Sequence, residues 1–204
     1  MKYIGLIVAW LLFGLLHSLL AGGRFKQLVH SRMKSGYRFY RIIYSFFATI
    51  SLIAVLWYHF SINTILLWNN SVAEKTAAII LSIPAIIVIA ISIKKYFLDL
   101  SGINVFIKSY PVQNQQLELT GLRKYVRHPL YFGTLLFVWC FFVWKPSLSN
   151  LISSICITLY TRVGVYFEER KLVKEFGDEY KSYIKKVPML VLHRITFDKN
   201  IDAA

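Results

Sequence analysis

Arg127 and His128 stand immediately before Pro129, and an apolar run begins at Leu130. Proline is welcome at the first position of a helix, where it has no needed donor to lose. The helix that it opens carries unpaired N–H groups and a partial positive charge at that end. Two more cationic side chains are unfavourable there unless something negative arrives, either a buried carboxylate or an anionic ligand. The acids in reach by sequence are Glu168 and Glu169, which close a later apolar block. Arg162 lies in that block about 9 Å deeper, at 1.5 Å per residue. A charge at such depth calls for a polar cavity or a partner. Tyr125, Tyr131, Tyr160 and Tyr166 are spaced to line the same region, and His17 with Ser18 falls inside an earlier apolar block.

These residues need elements to position them, and composition says which kind. The 204-residue chain is 56% hydrophobic and only 17% charged, with a mean hydropathy of +0.52. Its apolar residues lie in long blocks rather than periodic stripes, the pattern of an integral membrane protein. Five blocks approach the length of a bilayer crossing: Tyr3–Leu20, Phe39–Phe60, Thr76–Leu98, Leu130–Trp144 and Leu148–Phe167. The expected fold is therefore all-α, with five transmembrane helices and a C-terminal amphipathic interfacial helix. Pro146, Ser147 and Ser149 make a tight turn between the last two blocks, so these pair as an antiparallel hairpin. That hairpin returns Glu168 and Glu169 to the level of Arg127 and His128. Pro84 is expected to kink or loosen the third block.

The net charge of +14 follows membrane topology rather than nucleic-acid binding. Arg24, Lys26, Arg32, Lys34 and Arg38 fill the first connector, Lys75 the second, Lys94, Lys95, Lys108, Arg123, Lys124 and Arg127 the third, and Lys145 the fourth. Rich and poor connectors alternate, which places the N-terminus outside and the basic connectors in the cytoplasm. The positive charge after the first block, stronger than Lys2 before it, identifies a retained helix and not a signal peptide.

From Glu168 to Lys186, Leu172, Val173, Phe176, Tyr180, Tyr183 and Ile184 recur at helical spacing, and Val187 continues the stripe. This is the amphipathic helix, with a bend expected at Gly177 and an end at Pro188. The chain divides into a three-helix region over 1–98, a candidate catalytic region over 99–194 and a polar tail over 195–204. Cys140 and Cys156 read as small core residues, and no Cys/His spacing fits a metal site.

YVRHPLYFG, followed after one hairpin by FEERKLVKEFGDEYKSYIKKVP, resembles the isoprenylcysteine carboxyl methyltransferase and phospholipid methyltransferase superfamily over Thr120–Pro188. FGLLHSLLA at Phe13–Ala21, FLDLSGI at Phe97–Ile103 and YTRVGVYFEERKL at Tyr160–Leu172 resemble the bacterial branch containing methanethiol S-methyltransferases. Leu122 and Arg123 stand where that branch commonly has Pro and Tyr.

The resemblance implies an intramembrane methyltransferase that takes S-adenosylmethionine (SAM) from the cytoplasm, in a bacterial inner membrane. It implies a SAM site built from Tyr125, Arg127, His128, Pro129, Tyr131, Gly133, Glu168 and Glu169. Arg162 and Glu169 are the expected catalytic groups, and His17 and Tyr160 the expected substrate contacts. The implied acceptor is a small thiol or a lipid-like molecule, with membrane lipids as surroundings and neither nucleic acid nor metal. Two other classes are carried beside it, an NADPH-dependent reductase like the membrane sterol reductases and a non-catalytic membrane protein.

Overall fold

The computed structural model describes residues 1–101, 117 and 119–190, with backbone alone at 34, 35, 38 and 95–101. Six α-helices carry it: α1 (Lys2–Ala21), α2 (Gly23–Met33), α3 (Tyr40–Ser61), α4 (Val72–Ser101), α5 (Pro129–Trp144) and α6 (Leu148–Lys186). Short 3-10 turns at Lys34–Phe39 and Gly121–Lys124 lead into α3 and towards α5. The side chains of Phe97–Ile103, together with Lys108 and the tail after Leu190, lie outside the described residues.

Among the described residues, four helices are long and apolar enough to cross a membrane: α1, α3, α4 and α6. The 16-residue α5 is apolar but shorter than that criterion. Ile4, Leu11, Phe46, Trp57, Ile80 and Leu159 are all exposed. Such outward apolar surface fits a lipid-facing bundle better than a water-facing one.

Local chemistry sets the helix ends. Ser71 and Glu74 form a capping box at the start of α4. The backbone N–H and hydroxyl of Ser71 donate to Glu74 Oε2 at 2.6 and 2.9 Å, while Glu74 N–H donates to Ser71 Oγ at 3.2 Å. Pro84 is accommodated inside α4, which remains one helix. Pro129 opens α5 at its first position, and Ser147 caps α6 by accepting from Asn150 N–H at 3.3 Å.

The end of the bundle opposite Arg127 is fastened by polar contacts. Trp10 Nε1–H donates to Ser153 Oγ at 2.8 Å, and Ser153 in turn lies 2.9 Å from His59 Nδ1. His59 Nε2 reaches Asn150 Oδ1 at 2.9 Å, and Asn150 Nδ2 donates to the Lys145 carbonyl at 2.7 Å. This chain of bonds fixes α6 against α1 and α3. Antiparallel backbone contacts add to it, with Leu67 N–H donating to Pro146 O and Leu148 N–H to Ile65 O.

The amphipathic stretch continues directly from the last apolar block: α6 runs helically from Leu148 through Glu168 to a break at Gly177, and a second helical segment leads on to Lys186. From Leu148 to the break at Gly177 the helix spans about 44 Å, longer than a hydrocarbon core of about 30 Å. Gly177, at φ 57° and ψ −127°, turns the helix there. Beyond it, Tyr180, Tyr183 and Val187 form a buried cluster with Leu172, Val173, Phe176 and Ile184, closed by Leu117 and Leu119. The apolar face thus packs against Leu117 and Leu119 rather than standing open.

Candidate functional site

The start of α5 and the middle of α6 meet through one carboxylate, that of Glu169. Arg127 Nε–H donates to Glu169 Oε1 at 2.7 Å, and His128 Nε2 stands 3.1 Å from the same oxygen. Glu168 Oε2 lies 3.8 Å from His128 Nδ1. Arg127 and His128 are both buried, whereas Glu168 is largely exposed. The cations at the mouth of α5 therefore have an acid opposite them, supplied by α6.

Arg127 also reaches past Glu169. Its Nη1 donates to the carbonyls of Ile184 at 3.1 Å and Val187 at 2.5 Å. These are carbonyls from the last turn and end of α6, which lack helical partners. Backbone bonds run alongside: Arg127 N–H to Pro188 O at 3.0 Å and His128 N–H to Met189 O at 3.3 Å. The guanidinium is a bracket between Glu169 and the end of the same helix. Nothing in sequence spacing announces backbone acceptors, so this role was missed.

A groove of about 390 Å³ opens beside the bracket, lined by Arg162, Tyr166, Glu169, Arg170, Val173, Ile184 and Met189. Glu169 belongs to both, so the paired carboxylate is also the groove's acid. Arg162 Nη1 lies 3.3 Å from Met189 Sδ, a second contact without a sequence signal. The groove combines guanidinium, carboxylate, phenol and apolar surface, a set that suits a zwitterionic ligand with an aromatic portion. Its volume falls within the ordinary range of small-molecule sites.

The expected residues divide. His128 packs its ring on Tyr131, with centroids 5.7 Å apart and planes inclined by 29°, and Tyr131 is also a neighbour of Glu168 and Tyr160. Pro129 is buried at the helix start. Tyr125 is 39% exposed beside this group. Gly133, expected in the pocket wall, instead faces α4. A Cβ there would stand 2.9 Å from Ile89 Cγ1 and 3.1 Å from the Ala85 carbonyl oxygen, so helix packing explains the glycine.

His17 and Tyr160 come together in a second cluster. Their rings meet edge-on at 6.2 Å, and the Tyr44 hydroxyl lies 2.9 Å from His17 Nε2. Tyr44 was not anticipated, although a signal existed. Tyr37, Tyr40 and Tyr44 repeat at helical spacing and stack with centroids 5.8 and 6.4 Å apart. Among the described residues, no three His, Cys, Asp or Glu side chains converge as metal ligands.

Comparison with known proteins agrees with a membrane enzyme of this kind. A methanethiol S-methyltransferase of Crocosphaera subtropica is 27% identical over 189 residues, covering 88% of this chain and 71% of the relative. Methanethiol S-methyltransferase 1 of Bradyrhizobium diazoefficiens is 28% identical over 191 residues, 88% of this chain and 63% of its own length. A protein-S-isoprenylcysteine O-methyltransferase of Schizosaccharomyces pombe is 37% identical over 76 residues, 33% of this chain and 29% of that protein. No solved structure matches the chain. The NnrU protein family matches residues 5–195, and the chain belongs to that family.

Proposed function

We propose that the protein is an integral membrane methyltransferase that uses SAM from the cytoplasm and methylates a small thiol. The observation that carries the reading is Glu169, held by Arg127 and His128 at the edge of the groove, in a chain whose relatives are named methyltransferases. The relatives named here include no reductase, so the NADPH alternative gains no support from them.

Bound SAM supplies an electrophilic methyl group on a sulfonium. Within the groove, Glu169 would hold the ammonium or ribose hydroxyls, with His128 behind it. Arg162 and Arg170 supply positive charge for a carboxylate, while Val173, Ile184 and Met189 exclude water from the apolar portion. Arg127 acts mainly by fixing Glu169. Tyr131 joins this end to His17 and Tyr160, which face the acceptor. Positioning of the two reactants supplies much of the acceleration, because the sulfonium is already a good leaving group.

In this reading α5 crosses as a fifth span, short because it is paired with α4 along its length. The alternation of basic connectors puts the N-terminus outside and the groove at the cytoplasmic face of a bacterial inner membrane.

Calorimetric titration of the purified chain with SAM tests the assignment. His128→Ala and Glu169→Gln are each expected to weaken binding by about 1–3 kcal/mol, the value of a charge-assisted hydrogen bond. Wild-type protein that takes up no SAM, or two variants that bind as wild type does, overturns it. Mass spectrometry of products formed from SAM with methanethiol, a phospholipid amine or a prenylcysteine identifies the acceptor.

A further inference from the structure

His17 occupies a long apolar helix with a tyrosine neighbour on each of two other helices. The Tyr44 hydroxyl of α3 lies 2.9 Å from Nε2 and 3.2 Å from Nδ1, close to both ring nitrogens. Tyr160 of α6 meets the ring at 6.2 Å, and Ser18 donates to the Tyr160 hydroxyl at 3.3 Å. Phe13 covers the ring at a centroid distance of 5.7 Å. Gly14 admits Tyr160 to this place, since a Cβ there would stand 2.8 Å from Tyr160 Cδ2. The small residue and the histidine thus serve the same contact.

The cluster is continuous with the groove end of the protein. Tyr131 stacks on His128 and neighbours Tyr44, Tyr160 and Glu168. The charged groups nearest the cluster are Glu168, beside Tyr131, and Arg41, in α3 one turn before Tyr44. Among the described residues, Glu168 supplies the carboxylate beside Tyr131. The nearest Brønsted groups to the buried end are therefore an imidazole and phenols.

A free thiol is mostly protonated near neutral pH, and the thiolate is the nucleophile. We propose that His17 is the general base that takes the proton of a thiol acceptor, with Tyr44 as its positioning residue. The inference rests on the methyltransferase reading and narrows it to an acceptor that must lose a proton. The S–H bond breaks with its proton passing to the imidazole. The sulfur pair then forms the bond to the donor methyl carbon, and the sulfonium carbon–sulfur bond breaks with its pair remaining on the departing thioether. A neutral imidazole has one N–H and one lone pair, whereas the imidazolium has two N–H groups. The Tyr44 hydroxyl lies close to both ring nitrogens, so it positions the ring before and after transfer.

The test uses the full chain in detergent, SAM, and two acceptors: an alkanethiol protonated at neutral pH and an arenethiol largely ionised there. His17→Gln is expected to lower kcat/KM for the alkanethiol about 100-fold near neutral pH, the usual contribution of a general base. Its effect on the arenethiol should be small, and the alkanethiol deficit should shrink as pH rises. Tyr44→Phe, the more conservative change, should show the same pattern at smaller size and shift the acid limb of the pH profile. SAM affinity should be unaltered in both variants. Equal losses with both thiols at every pH, or no loss, overturn the assignment of His17 while leaving SAM binding intact. Wild-type protein that binds no SAM and methylates neither thiol instead removes the reading on which the inference rests.

Discussion

Arg127 and Glu169 are 42 residues apart in sequence and 2.7 Å apart in the fold. Their side chains are 6% and 14% exposed, and removing one partner of a buried pair leaves the other charge uncompensated. Arg127→Ala should therefore cost about 3 kcal/mol, and Arg127→Lys should recover only part of it. Lysine restores the charge but cannot span Glu169 and two carbonyls with a planar fork. Thermal unfolding in detergent reads both variants. Stability like wild type in Arg127→Lys would show that charge alone suffices and that the bracket is not used.

The far end of the bundle offers a contrasting test. Ser153 accepts from Trp10 and faces His59 within hydrogen-bond distance, so Ser153→Ala strands two buried polar groups. The expected loss is about 2 kcal/mol, within the range for unsatisfied buried groups. It should appear in thermal unfolding, with SAM affinity unchanged because the serine lies at the other end of α6. A variant as stable as the parent would mean that the network adds nothing.

How much of this was readable beforehand depended on the physics recorded in the letters. Lipid demands long uncharged runs, and the helices begin and end within a few residues of those runs, from Lys2–Ala21 to Leu148. The nearness of Glu169 to His128 followed from hairpin geometry, since two antiparallel helices must return to the same level. The continuity of the last apolar block with the helix after it did not follow. Composition changes at Glu168, but backbone hydrogen bonding carries the helix past it as far as the break at Gly177. Arg127's attachment to the Ile184 and Val187 carbonyls was hidden because every residue offers a carbonyl. The approach of Gly133 to α4 was hidden for a related reason, because a missing side chain does not say which neighbour needed the space.

That space can be measured. A methyl group at Gly133 would meet the Ala85 backbone oxygen at 3.1 Å and Ile89 Cγ1 at 2.9 Å. Gly133→Ala should cost about 1–2 kcal/mol through overpacking, and Gly133→Leu should prevent the α4–α5 pairing. Comparing the thermal midpoints of the two variants checks the steric origin. An alanine variant more stable than the parent would show that α4 yields easily.

Alkaline pH examines the cluster beyond the bilayer. Burial, aided by the negative charge of Glu169, holds the Tyr180 phenol above its ordinary value of 10.0, although Arg127 opposes the shift. In the unfolded chain the phenol releases its proton near that value, whereas the folded chain retains it. This contribution to stability is intact below about pH 10 and falls away as pH rises beyond it. Tyr180→Phe should therefore lose less stability than wild type between about pH 9 and about pH 11. Parallel declines of the two thermal midpoints over that window would exclude a contribution from this phenol.

The bend at Gly177 decides whether these contacts form together. Its φ of 57° and ψ of −127° belong to a region that a residue with a Cβ enters only with strain of about 1–3 kcal/mol. An added Cβ there meets nothing within 4 Å, so a loss in Gly177→Ala would come from the backbone conformation. Gly164 in α6 supplies the control, because a Cβ there also meets open space and its backbone is helical. Gly164→Ala should be neutral or add about 0.5–1 kcal/mol through helix propensity. Gly177→Ala should destabilise and also weaken SAM binding. Relieving the strain straightens α6, which draws Val187 away from Arg127 and loosens the hold on Glu169. If both alanines behave alike in thermal unfolding and calorimetry, the bend is not what sets the geometry of the groove.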